Sequence, residues 1–162
     1  MATIEVTVLR IMAVAVAVGA VAARVCFPPT TDPVSDPWYA SMGFYLGILL
    51  PILFARLFRE RYSKRASYKF LRQWLMVSAA SYPIILFVMW ETNYNSPLGN
   101  FYTSAVCTLV YAAVCSAADL LAAKLLAAVA LSRHGLVNMF VQIFMDCAIV
   151  AMVFMALYYM TS

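Results

Sequence analysis

The chain has 162 residues, of which 65% are hydrophobic and 11% are charged, and its formal net charge is +4. A mean hydropathy of +0.88 leaves no stretch polar enough for a separate soluble core, which excludes an ordinary water-soluble globular protein. A bilayer core about 30 Å thick is crossed by roughly 20 apolar residues in a helix. We therefore predict an all-α integral membrane bundle of about five transmembrane helices, with residues 1–162 forming one transmembrane domain.

The first predicted span covers residues 6–26, with Arg10 and Arg24 near its ends, where long basic side chains reach the headgroups. Its pattern also imitates a secretory signal peptide, but we interpret it as a retained span. Four prolines follow within residues 28–37. Because proline blocks helix continuation, the chain is expected to leave the membrane there.

The second predicted span, residues 38–57, carries Gly43, Gly47 and Pro51 on one helix face at steps of four residues. Small residues let helices approach closely in lipid. Two interpretations stay open for this helix-packing face. It docks against another subunit, or it packs within this bundle.

A basic segment runs from the end of the second span to the start of the third. It holds seven of the eleven basic side chains: Arg56, Arg59, Arg61, Lys64, Arg65, Lys69 and Arg72. Such a cluster beside a span indicates contact with anionic lipid headgroups, cardiolipin among them, or with an acidic partner. The alternative is that it only orients the protein. Since most of the basic residues lie in one segment beside a span and are not spread over a basic surface, we expect no nucleic-acid binding.

The last three predicted spans cover residues 71–90, 101–126 and 136–160. Threading five spans puts Arg10, the basic segment and Arg133 on one side. The other side holds Asp32, Asp36 and Glu91, with Arg24 as the one cation there. The positive-inside rule then places the amino terminus inside and the carboxyl terminus outside.

The last two spans carry a predicted buried polar seam, consisting of Asp119, Lys124, Asn138, Gln142 and Asp146. A tight connector at residues 132–135 predicts an antiparallel hairpin, in which Asp119 lies level with Cys147, and Lys124 with Gln142. Lys124 is the candidate partner for one aspartate, whereas Asp146 is expected to need a partner from elsewhere.

Two interpretations of this seam stay open. Two close carboxyls could pass a proton or cation across the membrane. The structural alternative is an interhelical hydrogen-bonded seam, or an anchor for a basic side chain of a neighbouring subunit.

Catalytic and metal chemistry have little support in the sequence. His134 is the single histidine, and Cys26, Cys107, Cys115 and Cys147 are isolated, so no zinc site or bis-histidine haem is expected. No nucleophilic triad or phosphate loop is present. We predict no catalytic residues, no metal and no cofactor, with bound phospholipid as the one exception.

Most of the sequence consists of predicted spans, which carry faces of small residues and buried polar groups. We therefore predict a non-catalytic accessory subunit of a large respiratory-chain or ATP synthase complex in the mitochondrial inner membrane. It would contribute scaffold and lipid contacts, with other membrane subunits and anionic phospholipids as partners. The alternative is a small proton, ion or solute transporter using Asp119 and Asp146, followed by a lipid-modifying enzyme.

Overall fold

In the computed structural model, the structure describes residues 2–28, 42–59, 65–90, 97–129 and 135–161. Within these ranges the regular structure is helical, and the helices are α1 (Ala2–Cys26), α2 (Met42–Leu57), α3 (Ala66–Met89), α4 (Pro97–Val129) and α5 (Gly135–Thr161). Four of them are long and apolar enough to cross a membrane, and α2 is a shorter apolar helix. The predicted all-α, five-helix membrane bundle is confirmed.

The short helix α2 lies at the centre of the bundle and contacts all four other helices. Its apolar side chains face inward on several sides, so Leu50 and Leu53 are fully buried. One core cluster joins these leucines to Leu9 and Ala13 of α1 and to side chains of α5. A second cluster joins α2 to α3, α4 and α5, largely through small side chains such as Ala112.

Neighbouring helices along the chain run in opposite directions. Glu5, Gln73 and Gln142 lie near the starts of α1, α3 and α5, while Arg56 and Asp119 lie towards the ends of α2 and α4. Hydrogen bonds and an ion pair connect Glu5, Gln73 and Gln142 to Arg56 and Asp119, so all five residues lie at one end of the bundle. We call this end the basic end. The last residues of α5 therefore lie at the opposite end, and the assignment of either end to a compartment stays a prediction.

The two predicted packing glycines contact helices of this same chain. A Cβ placed on Gly43 would lie 3.0 Å from the Ala20 carbonyl oxygen of α1. A Cβ on Gly47 would lie 3.3 Å from Cγ2 of Val88 on α3. Of the two interpretations of this face, packing within the bundle is the one that the structure contains. Pro51, the third member, is buried in the same helix.

The helices extend beyond several predicted spans. α3 begins at Ala66 instead of residue 71, so Lys69 and Arg72 lie on a helix and not in a loop. α4 has 33 residues, which corresponds to roughly 50 Å along its axis. The predicted features at residues 29–37, Arg61, Lys64, Glu91 and residues 131–134 lie outside the described residues.

Large apolar side chains cover the outside of the bundle. Phe144, Tyr159 and Met160 are 75%, 76% and 82% exposed, and long apolar residues are exposed on the other helices as well. Water-soluble monomers rarely expose contiguous apolar surface of this extent. A bilayer supplies the surroundings that this surface requires, and the chain is an integral membrane protein.

Candidate functional site

Asp119 is the centre of a buried polar network at the basic end. Its side chain has no solvent-exposed surface. Its Oδ2 accepts a hydrogen bond from Gln73 Nε2 at 2.8 Å, and its Oδ1 accepts one from Gln142 Nε2 at 2.9 Å. Arg59 Nη1 lies 3.7 Å from Oδ1. Each carboxylate oxygen thus has a donor, and the negative charge has a basic partner.

Gln73 connects this carboxylate to the end of α2. Its Nε2 also donates to the Ala55 carbonyl oxygen at 2.5 Å. Ala55 lies in the last turn of α2, where carbonyl groups have no partner within the helix. A side-chain amide has two N–H donors, and Gln73 uses both. One side chain therefore stabilises the α2 terminus and the Asp119 carboxylate together.

Gln142 and two arginines extend the network to α5 and α1. Gln142 Oε1 accepts hydrogen bonds from Arg56 Nη1 at 2.5 Å and from Arg59 Nη2 at 3.3 Å. Arg56 Nη2 in turn lies 3.9 Å from Glu5 Oε2 on α1. We call Glu5, Arg56, Arg59, Gln73, Asp119 and Gln142 the five-helix network, because it joins all five helices.

Burial makes this network costly to break. Removing one partner of a buried ion pair costs about 3–5 kcal/mol, because the other charge is left uncompensated in a low-dielectric interior. The side chains of Arg59 and Asp119 are only 16% and 0% exposed. Within the chain itself, Asp119 is supplied with donors by Gln73 and Gln142. Its arrangement is that of a hydrogen-bonded seam between helices.

Asp146 lies one helical turn beyond Gln142 on α5, and its surroundings differ from those of Asp119. It is fully buried, and within the described part of the chain neither of its carboxyl oxygens has a hydrogen-bond partner. Asp119 and Arg59 are the charged groups whose fields act on it. The burial of Asp146 within the isolated chain is complete, and a basic partner from a neighbouring subunit stays a prediction.

The structure separates Lys124 from the predicted seam. Lys124 is exposed, so its assignment to a buried seam is wrong, and Asn138 is half-buried. Gln142 bonds to Asp119 and not to Lys124. The predicted hairpin register is therefore off by more than one helical turn. Counting outward from the connector assumes parallel helix axes of equal reach, and the hydrogen bonds at Asp119 set a different register.

The basic segment divides into an inward and an outward part. Arg56 and Arg59 have side chains only 7% and 16% exposed and belong to the five-helix network, which corrects their assignment to headgroup contact. Arg65 and Arg72 are exposed and Lys69 is half-buried. Because these three follow steps of four and three residues, they lie on one face at the start of α3. We call them the basic face.

Two members of the network were not singled out from the sequence. Gln73 is an amide near one end of an otherwise apolar run, which is a signal for an interhelical hydrogen bond in lipid. Glu5 lies so close to the start of α5 that a Cβ on Gly135 would overlap its carboxylate. Nothing in the local sequence around Glu5 points to that contact between the first and last helices.

The fold and this site define a class: an integral membrane protein of five helices whose basic end is joined by a buried polar network. Among the residues that the structure describes, no three His, Cys, Asp or Glu side chains are grouped to hold a metal ion. No protein-family model matches the chain, and neither a curated protein nor a solved structure is significantly similar to it.

Proposed function

We propose that this chain is a non-catalytic accessory subunit of a large multi-subunit membrane complex, where it acts as scaffold and organises lipid. The observation that carries the proposal is the environment of Asp119. Its two oxygens accept hydrogen bonds from the chain's own Gln73 and Gln142, and Arg59 compensates its charge. The polar groups at the basic end thus hold the helices together.

The apolar exterior supports the same proposal. Beyond residue 150, nearly every described residue of α5 is exposed, including Met152, Tyr158 and Met160. A helix with so few neighbours in its own chain offers wide surface to other membrane helices. Packing against such helices is the main source of association in lipid, where apolar side chains gain little by leaving acyl chains.

The basic face gives the lipid part of the proposal. Lys69 and Arg72 lie in the first two turns of α3 and Arg65 is its N-cap residue, at the end of the bundle where anionic headgroups would lie. Each basic residue near an anionic membrane surface contributes about 1 kcal/mol to binding. Phospholipids with anionic headgroups, cardiolipin among them, are the ligands that this face would favour.

As the compartment we propose the mitochondrial inner membrane, within a respiratory-chain or ATP synthase assembly, with the basic end on the matrix side. The support is the concentration of cations at one end of a small, wholly membrane-embedded chain. A bacterial or thylakoid membrane suits the same charge pattern, and fractionation of the cells that produce the protein separates these cases.

Native electrophoresis after mild detergent extraction tests the proposal. We expect the chain to migrate in a particle many times its own 18.0 kDa and to copurify with a fixed set of membrane proteins. Migration as a monomer or small oligomer would overturn the proposal.

Variants at the exposed surface separate a protein partner from lipid. Phe144 is 75% exposed on α5, and we expect Phe144→Leu to weaken assembly while the isolated chain stays as stable as before. A packed protein interface responds to side-chain shape, whereas fluid acyl chains adapt to it. Exposed Val110 on α4, changed to Leu, serves as a second position in the same experiment. Unchanged assembly in both variants would leave the helices surrounded by lipid and count against a packed partner at these positions.

A second candidate function, a small proton or ion transporter, is favoured by Asp146. A fully buried carboxyl without a hydrogen-bond partner among the described residues is unusual in a structural seam. Reconstitution of the purified chain into liposomes tests this candidate. Proton or cation flux that is lost in Asp146→Asn and retained in Lys124→Ala would establish it in place of the scaffold function.

A further inference from the structure

Asp146 differs from Asp119, the other buried carboxyl, in having no hydrogen-bond donor among the residues that the structure describes. The carboxyl of Asp119 has a hydrogen bond on each oxygen, at 2.8 and 2.9 Å. Both oxygens of Asp146 are buried and have no hydrogen-bond partner within the described residues. The side chain lies on α5 one turn from Gln142, on the side away from the basic end. A negative charge on this carboxyl would therefore be buried without a hydrogen bond from the described residues.

The nearby charges do not compensate a second carboxylate. Arg59 is the cation whose field reaches Asp146, but its guanidinium already pairs with Asp119 at 3.7 Å and donates to Gln142 at 3.3 Å. Asp119 itself repels a negative charge on Asp146. Two carboxyls therefore compete for one guanidinium, and Asp119 has the better geometry.

In the described part of the chain, the remaining titratable groups that interact with Asp146 are thiols. They belong to Cys115 on α4 and to the adjoining Cys147 on α5. A thiol is a weak donor and carries no positive charge. Gln73, which α3 contributes at this end, is uncharged, and Glu5 of α1 is paired with Arg56. None of these groups supplies the positive charge that an ionised Asp146 would need.

Burying an unpaired carboxylate costs several kcal/mol, and a proton removes that charge without requiring any rearrangement of the helices. We propose that Asp119 and Asp146 form a proton-binding site with divided roles, in which Asp146 carries the proton and Asp119 remains ionised against Arg59. The reaction is simple association of one proton with the Asp146 carboxylate. No electron transfer and no other reactant take part. This inference concerns the chain itself and rests on neither function proposed above.

Infrared spectroscopy of the full chain in lipid nanodiscs at neutral pH tests the site. A protonated carboxyl has a carbonyl stretch that a carboxylate lacks, and this band shifts when aspartate is labelled with ¹³C or when the solvent is D₂O. We expect the wild-type band to be lost in Asp146→Asn and kept in Glu5→Gln, the matched control at the same end of the bundle. Absence of the band from the wild type, or its persistence in Asp146→Asn, would overturn the proposal.

Two further measurements keep the test decisive. Asparagine is a close isostere of a neutral carboxyl, so we expect the yield of folded Asp146→Asn to stay within about two-fold of wild type. The yield of folded Asp119→Asn should fall several-fold, because this variant leaves the Arg59 guanidinium without its anionic partner. A larger loss of folded yield in Asp146→Asn than in Asp119→Asn would contradict the proposed protonation states.

Replacing sodium by choline tests whether the site binds a metal cation. If the infrared band of the protonated carboxyl appears only in choline, the site binds sodium and not a proton, and the proposal is overturned.

Discussion

Gln73 is the residue whose replacement tests the five-helix network most directly. Leucine has a similar size and no donor, so Gln73→Leu removes two hydrogen bonds without opening a large cavity. The lost bonds are those to Asp119 Oδ2 at 2.8 Å and to the Ala55 carbonyl oxygen at 2.5 Å. Both acceptors belong to buried residues, so neither gains water in exchange.

The magnitude follows from two limits. Two average interhelical hydrogen bonds in a membrane protein contribute together about 1 kcal/mol. Leaving two buried acceptors unsatisfied in a soluble protein costs about 2–6 kcal/mol. Asp119 keeps Gln142 and Arg59, and its remaining partners limit the loss. We expect Gln73→Leu to lower the free energy of unfolding by about 2 kcal/mol, between these two limits.

The assay is reversible unfolding in mixed micelles with an increasing fraction of denaturing detergent, followed by tryptophan fluorescence. Trp74 adjoins the substituted position and donates to the Leu109 carbonyl oxygen of α4 at 2.8 Å, so its emission reports on the α3–α4 contact. Ser78→Ala is the matched control, since the Ser78 hydroxyl donates within its own helix. If Gln73→Leu lowers the free energy of unfolding by less than about 0.5 kcal/mol, its effect is no larger than that of an ordinary surface substitution. That result would refute the five-helix network as a source of stability.

Three other predictions address packing, the seam and lipid. Gly43→Ala places a Cβ 3.0 Å from the Ala20 carbonyl oxygen and should cost about 1–3 kcal/mol in unfolding free energy; equal stability of Gly43→Ala and Gly47→Ala would contradict a close backbone contact at Gly43. Lys124→Ala should change the free energy of unfolding by less than about 0.5 kcal/mol, because this side chain is exposed. A loss of several kcal/mol would indicate that Lys124 belongs to the buried seam after all. With the chain held in nanodiscs of neutral lipid, Lys69→Gln should weaken the binding of an added anionic phospholipid about five-fold at low salt, as expected for about 1 kcal/mol per cation, and leave the binding of a neutral phospholipid unchanged. An effect of the same size on the neutral phospholipid would rule out headgroup recognition.

The helices themselves could be predicted because their causes are local. Runs of apolar residues indicate where the chain crosses the bilayer, and prolines and clustered charges indicate where it leaves. The boundaries were less accurate, as the start of α3 at Ala66 shows. Charged residues at a membrane surface are compatible with helix or loop, so hydropathy does not locate the terminus of a helix that continues beyond the apolar core.

The residues of the candidate site were predicted better than their partners. A polar side chain in an apolar span is costly unless it has a partner, so its presence predicts a contact. Asp119, Gln142 and Asp146 could be singled out for this reason. Which partner each one finds depends on the rotation and depth of helices distant in the chain. Arg59 turns inward to Asp119, whereas Lys124 stays exposed, although both are basic residues near the same end.

The sequence by itself determined that the chain is an all-helical membrane protein with most of its cations in one segment, because hydropathy acts through neighbouring residues. Only the tertiary structure decided that Gly43 packs inside the bundle and that Gln73 and Glu5 join the network. It also decided that Asp119 has donors, whereas Asp146 has none among the described residues. These outcomes depend on contacts between side chains on different helices, and their geometry exists only once the five helices have packed.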